Sequence, residues 1–295
     1  MELQDQVEEL RAKGLGVAAI SYDSEEVLAA FSRQRGITFP LLSDDDSKVI
    51  TEFGILNTVA AEALNSNGDD TELAADVAKY VSVAGLADDA HEVGTPFPGT
   101  FMLDRTGRVT ARFFEEFYRE RNTTANVMLK LGAGLSPVAA ITGSTAHLEF
   151  TAYPSNPNVM MGTRFSVAVE VKPNPNIHVY APGADEMGYR VVSLNLAPTP
   201  NVRFDPVEFP ASEIYYFEPL DERVPVYLEP FTLLQEAVVE GSVEAARALA
   251  ELDALTLSGT FEYQACDDRL CYPPVSVPLS FTLDLDQPDR QRVAN

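Results

Sequence analysis

Two cysteines and three histidines in 295 residues leave little material for metal or multi-disulfide chemistry. The histidines (His91, His147, His178) all lie far in sequence from the cysteines, Cys266 and Cys271. Zinc takes about four such ligands, so no metal site is expected, and no cofactor is expected either. Basic residues are scarce: 21 Lys and Arg against 45 Asp and Glu give a formal charge of −24. Phosphate contacts need Lys and Arg, which argues against nucleic acid or an anionic membrane as partner. There is no apolar run of about 18 residues, so no membrane span is expected. Met1 opens directly into a charged amphipathic stretch, which is not the pattern of a signal peptide.

What is present suits a globular protein. Apolar residues make up 45% and aromatics 9% of the chain, enough to form cores, and the length predicts two domains. In the first half, helical periodicity and short apolar strands alternate. Leu3, Val7 and Leu10 share a helical face, and Leu15–Ser21 is a buried-strand run. Ser24 caps a helix over Glu25–Arg35 with Val27, Leu28 and Phe31 inward, and Gly36 stops it. Thr38–Ser43 is extended, and Ser47–Phe53 is a third helical piece. Such alternation indicates a βαβ arrangement over a parallel sheet. Residues 58–93 read as an acidic, Ala-rich surface excursion. Strands Thr100–Leu103 and Arg108–Phe114 flank a Gly-bearing turn, and residues 122–132 are a last helix with Val127, Leu129 and Leu131 toward the sheet. Residues 132–146 have the composition of a flexible linker.

From His147 the pattern changes to short strands punctuated by prolines, as in an all-β sandwich. Strands are expected at His147–Tyr153, Arg164–Lys172, His178–Pro182, Tyr189–Leu196, Val202–Phe209, Ile214–Phe217, Val224–Ala237, Leu255–Tyr263 and Val275–Leu285. Cys266 and Cys271 lie between the last two, close enough to face each other across a hairpin mouth. The residues alone leave three roles open for them: a structural staple, a metal site or a redox dithiol. A ring this small adds only about 2 kcal/mol of chain-entropy stabilisation, and a chain this long folds without it. Redox is the preferred reading. Asp267 and Asp268 disfavour thiolates and Arg269 favours them, while Tyr263 and Tyr272 are placed to shield the sulfurs.

Tyr-Gln-x-Cys, a short polar loop and Cys-Tyr-Pro-Pro (Tyr263–Pro274) resemble the N-terminal domain of the thiol:disulfide interchange protein DsbD. Upstream, Ile177–Pro182, Ser212–Tyr216 and Val224–Tyr227 have counterparts in the same order, and the loop between the cysteines is one residue shorter. The resemblance implies an immunoglobulin-like fold that passes electrons through one cysteine pair. It also implies that Tyr180 and His178 lie near that pair and that Phe209–Ile214 caps it; for His178 an ordinary strand histidine is the preferred reading.

The first half, through residues 8–24, 31–44, 53–57 and 96–109, resembles the AhpC/TSA peroxiredoxin-like branch of the thioredoxin superfamily. Pro98 matches the position of a cis-proline facing the redox centre, which puts a cis peptide there on equal terms with a trans one. In that family the nucleophilic cysteine opens the helix whose later part is Glu2–Lys13. This chain has no cysteine before Cys266 and lacks the strand that precedes that helix. We expect Met1 to be internal to a longer protein; the other explanation is a redox-dead half.

The expected organisation is a thioredoxin-like α/β domain over residues 1–131, incomplete at its start, and a linker over 132–146. An immunoglobulin-like sandwich over 147–286 and a polar tail over 287–295 follow. The expected function is thiol–disulfide exchange through Cys266 and Cys271 in an antioxidant oxidoreductase, with thioredoxin-like or DsbD-like proteins as partners and a peroxide as a further substrate. The alternative is a non-catalytic interaction protein with a structural disulfide. The DsbD resemblance implies a location outside the cytoplasm.

Overall fold

The computed structural model describes residues 2–57, 96–115, 120–133, 139–218 and 221–287. The expected 58–93 excursion lies outside these residues, as does the tail beyond residue 287. In the first half the chain forms α1 (Glu2–Ala12), β1 (Ala19–Ser21), α2 (Glu25–Arg35), β2 (Leu41–Ser43) and α3 (Lys48–Glu52). After residue 95 come β3 (Gly99–Leu103) and β4 (Val109–Phe114). Strands β1 and β2 pair in parallel, as the alternating pattern predicts, while β3 and β4 form an antiparallel hairpin. Ser24 accepts a hydrogen bond from the Val27 N–H, and Gly36 closes α2 with φ 62°, a left-handed conformation that glycine adopts without cost. Of the three side chains expected inward, Leu28 is buried but Val27 is 44% exposed.

Next come β5 (Arg121–Asn122) and α4 (Thr124–Lys130), capped by Thr123. Both belong to the second half rather than to the sheet of the first. β5 runs parallel to the start of the long sandwich strand β9 (Thr163–Pro173), and Leu129 packs with Tyr153 and Ala168. Val127 is buried as well, whereas Leu131 is 40% exposed. The apolar face of this helix could be read in the sequence; which sheet it covers could not. Among the described residues of the expected linker, β6 (Ile141–Ser144) is already a sandwich strand, paired with β7 (Leu148–Pro154).

The remaining elements are β8 (Asn158–Met160), β9, β10 (His178–Tyr180), β11 (Ser193–Leu196), β12 (Val202–Phe204), β13 (Glu213–Phe217), β14 (Glu222–Tyr227), β15 (Phe231–Val239), α5 (Val243–Leu249), β16 (Ala254–Tyr263), β17 (Ala265–Cys266) and β18 (Val275–Asp286). They build one sheet in the order β12-β15-β9-β7-β6, a second in the order β11-β16-β18-β8, and a small third one, β13-β14-β10-β17. The run expected as one strand over Val224–Ala237 is two, β14 and β15, broken around Pro230. α5 was not foreseen; its Ser242 cap accepts from the Ala245 N–H.

Alternation explains the layers. Leu279, Phe281, Leu283 and Leu285 of β18 point inward between exposed neighbours, and Phe165, Val167, Val169 and Val171 of β9 meet them from the facing sheet. Each such side chain stabilises by about 1.5–3 kcal/mol over its exposed state. The principal core draws entirely on residues 148–285, whereas the described part of residues 2–115 buries, among its apolar side chains, only Val7, Leu10, Leu28, Phe39 and Ile50. Gly259 is a tight contact of β16 with β11: a Cβ there would lie 2.4 Å from the Asn195 carbonyl oxygen. No described helix is long and apolar enough to cross a membrane.

Candidate functional site

β16 and β18 pair in register up to Tyr263 and Val275. Beyond Tyr263 the chain leaves that sheet. Ala265 and Cys266 pair instead with Val179 and His178 of β10, so the cysteine loop crosses from the sandwich into the small third sheet. Cys266 and Cys271 are disulfide-bonded with their Cα atoms 4.1 Å apart. The two sulfurs are not equivalent: Cys266 is 1% exposed, and Cys271 lies on the exposed rim.

A cleft of about 130 Å³ opens beside the disulfide. Its floor and walls come from one face of the third sheet, where strand alternation aligns His178 and Tyr180 of β10 with Val224 of β14 and with Tyr215 and Phe217 of β13. The loop residues Asp267, Arg269 and Leu270 close the other side. Neither sulfur of a disulfide carries a proton, so the Tyr180 hydroxyl is the donor to both, at 3.1 Å from Cys266 Sγ and 3.2 Å from Cys271 Sγ. Burial, with the nearby Tyr189 and Glu222, pushes the Tyr180 pKa well above its ordinary value, so this hydroxyl stays protonated. The Tyr180 ring stacks on Tyr189 at 4.3 Å. Tyr189 donates to the Glu222 carboxylate, and this bond together with burial pushes its pKa up to about 12.

Asp267 shapes the loop. One carboxylate oxygen accepts from the Arg269 and Leu270 N–H groups, and the other accepts from the Tyr272 hydroxyl. The tyrosine hydrogen bond first, then the two N–H groups, hold its pKa below the usual carboxylate value. His178 is 4% exposed, tilted against Tyr215 at 4.6 Å, and burial lowers its pKa against the weaker opposing pull of Asp267.

That histidine makes stability pH-dependent in a definite sense. Its folded pKa lies below the ordinary 6.5, so below about pH 6.5 the unfolded chain takes up the proton first and stability falls as pH falls. Urea denaturation between about pH 7.5 and pH 5.5 should show this slope, and His178→Gln should flatten it. An unchanged slope in the variant would assign it to other groups.

The cleft therefore gathers Cys266, Cys271, Tyr180 and His178 of the residues singled out in the sequence. The others are placed differently. Tyr263 is fully buried in the main core, stacked on Phe261 and bonded to Thr145, because β16 keeps its register to the last residue and turns that ring away from the loop. Tyr272 braces the loop from outside the cleft, through Asp267 and against the His147 ring at 4.1 Å. Phe209 is 39% exposed and does not line the cleft; β13 supplies the wall that the Phe209–Ile214 loop was expected to form. Pro98 lies on a separate cavity of about 220 Å³ with Ile20, Ile55, Phe97, Glu115 and Arg121. The described residues contain no cis peptide, so the Phe97–Pro98 bond is trans. Tyr189, Phe217, Glu222 and Leu270 were missed. The concentration of tyrosines after residue 180 was the available signal for the first of them; the others reach the cleft only through strand pairing and loop shape.

A thioredoxin-like α/β half followed by an immunoglobulin-like sandwich that carries a disulfide beside an aromatic cleft defines a protein related to thiol redox systems. Comparison with known families places each half. The AhpC/TSA family matches residues 1–112, and the family described as thiol:disulfide interchange protein DsbD, N-terminal, matches residues 149–281. The chain joins a peroxiredoxin-like segment to a DsbD N-terminal-domain-like segment. Over 53 residues it is 43% identical to a putative peroxiredoxin of Mycobacterium tuberculosis and 40% identical to peroxiredoxin Bcp of Escherichia coli, covering 18% of this chain in each case. The chain spans about a third (34%) of the length of these relatives. Among solved structures, the DsbD N-terminal domain of Neisseria meningitidis is similar at 17% identity and a TM-score of 0.27, covering 40% of this chain and 78% of that one. The N-terminal periplasmic domain of ScsB from Proteus mirabilis is similar at 13% identity and a TM-score of 0.32, covering half of each chain.

Proposed function

We propose that this protein is a thiol–disulfide oxidoreductase whose reacting pair is Cys266 and Cys271. The observation that carries the reading is the asymmetry of the pair: one exposed cysteine, one buried cysteine, and a tyrosine hydroxyl within 3.2 Å of both sulfurs. A thiolate of a dithiol partner attacks Cys271 Sγ, the S–S bond breaks, and Cys266 leaves as a thiolate that receives the Tyr180 hydrogen bond. The partner's second thiolate then attacks its own mixed-disulfide sulfur and releases Cys271. The partner ends oxidised by two electrons and the pair reduced, two protons completing the balance. In the reverse direction the Cys271 thiolate attacks an acceptor disulfide and Cys266 resolves the product.

The partner is a separate protein, of thioredoxin-like or DsbD-like type. β9 spans the sandwich, with the Leu148–Pro173 pair and the His147–Tyr272 contact at the disulfide end, and with Thr163 paired to Arg121 at the other. Eleven residues at about 3.3 Å each put the two ends roughly 30 Å apart. Described residues of the peroxiredoxin-like half, Glu2 and Glu115, meet the sandwich at that far end, through Asn156 and Arg164. Peroxide reduction is proposed only for that half, and it needs a cysteine that this sequence does not hold before Cys266. The DsbD N-terminal-domain-like half supports an extracytoplasmic setting.

The test is the reduction potential of the pair, by thiol trapping of the folded protein across glutathione buffers. A value well above about −300 mV is expected, since structural disulfides lie lower. A pair that resists reduction until the protein unfolds would overturn the reading. Tyr180→Phe should slow reduction by a dithiol partner about tenfold or more, because hydrogen bonds to charged groups contribute about 1.5–3 kcal/mol; an unchanged rate would remove Tyr180 from the mechanism.

A further inference from the structure

The mouth of the cleft is unevenly charged. On the cleft face of the third sheet, Glu213 opposes Val226 and Glu222 opposes Phe217, so both carboxylates rise beside Tyr215 and Val224. Across the opening, Asp267 and Asp268 lie on the cysteine loop, and the cation facing the same space is Arg269. Arg223 belongs to the back of the hairpin, where it lies over the Tyr216 ring at 5.2 Å, and Arg190 follows the cleft-lining Tyr189, its N–H bonded to Gln264. Between these charges stands an exposed apolar residue, Leu270, 57% accessible, at the lip beside Cys271. The segments that border the cleft thus carry four carboxylates, Glu213, Glu222, Asp267 and Asp268, against two guanidiniums, Arg190 and Arg269, the latter paired with Asp268 at 3.8 Å, on a protein of net charge −24.

The attacking species in exchange is itself an anion, the thiolate. A negative mouth repels it unless the molecule that carries it brings compensating positive charge, and fields of this kind change association rates by about 10- to 1,000-fold at low salt. We infer that the cleft selects its redox partner by charge: it takes a thiol set in a cationic surface with an apolar tip, and it disfavours anionic small thiols. This rests on the exchange reading above and names the class of reductant that serves it.

Two blocked tripeptides, acetyl-Lys-Cys-Lys-amide and acetyl-Glu-Cys-Glu-amide, provide the probes. The rate of reduction of the Cys266–Cys271 disulfide is followed by thiol trapping from about 10 mM salt, where the screening length is about 30 Å, to about 150 mM, where it is about 8 Å. The lysine peptide is expected to react faster at low salt and to slow as salt rises. The glutamate peptide is expected to react slower and to accelerate, so that the two rates converge by about tenfold. In a protein carrying Glu213→Gln and Asp268→Asn, neither of which touches the sulfurs, the low-salt ratio should narrow about threefold. Salt-independent rates, a faster glutamate peptide, or a ratio unmoved by the double variant would overturn the charge selection while leaving exchange intact. Failure of both peptides to reduce the folded protein at any salt would overturn the exchange reading, and this inference with it.

Discussion

Cys271→Ser abolishes capture of a disulfide-bearing partner, while Cys266→Ser traps it. In the second variant the exposed Cys271 still reacts with an activated disulfide, but the resolving sulfur is gone, so the mixed disulfide accumulates as a band removed by reductant on a non-reducing gel. The difference should approach all-or-none. Both variants lose the same small ring closure, which contributes only about 2 kcal/mol, so both remain folded and the contrast reports chemistry rather than unfolding. The reverse pattern, with capture by Cys266, would mean that the 1% exposure of that residue does not describe the reacting state. Equal capture by both would remove the assignment of roles.

Arg164→Met is expected to destabilise the protein by about 3–5 kcal/mol and to loosen the first half from the sandwich. The guanidinium lies 3.0 Å from Glu115, 3.3 Å from Glu120, 2.6 Å from Asp205 and 3.5 Å from Glu236, with its side chain 14% exposed. Glu115 and Glu120 come from the chain after β4, whereas Asp205 and Glu236 belong to the sandwich, so one cation ties the two parts together. Arg203 and Lys130 reach Glu120 and Glu236, each at 3.0 Å, and these two carboxylates stay compensated in the variant. Glu115 does not: burial already raises its pKa, with Arg164 as the main opposing influence. Removing one partner of a buried pair costs more than the pair contributes, because the other charge stays buried. Urea unfolding measures the loss, and limited proteolysis across residues 115–121 measures the loosening. Glu115→Gln placed in the same chain should recover part of the stability. A loss below about 1 kcal/mol would show that the cluster is solvated and ties nothing down.

Sequence alone determined the features that depend on local chemistry. Ser24 and Gly36 bound α2 because a hydroxyl cap and a left-handed glycine act within one turn. The alternation of β16 and β18 fixed which residues face the core, because a pleated strand has period two. The spacing of Cys266 and Cys271 allowed their pairing, and the residues around them carried the resemblance that the family comparison supports.

Everything that depends on which element meets which was decided by tertiary structure. Tyr263 and Tyr272 both flank the cysteines in the sequence, yet one is core and the other a brace, because the chain changes sheets between them. The apolar face of α4 could be seen, but not that it covers the sandwich. Tyr189 reaches Tyr180 only because the Asp185–Met187 turn folds back, and Tyr215 and Phe217 enter the cleft because β13 pairs with β14 in that register. Most of all, two cysteines alike in sequence became one buried sulfur and one exposed sulfur. Burial is set by the surfaces that pack around a residue, and those are assembled from strands far apart along the chain.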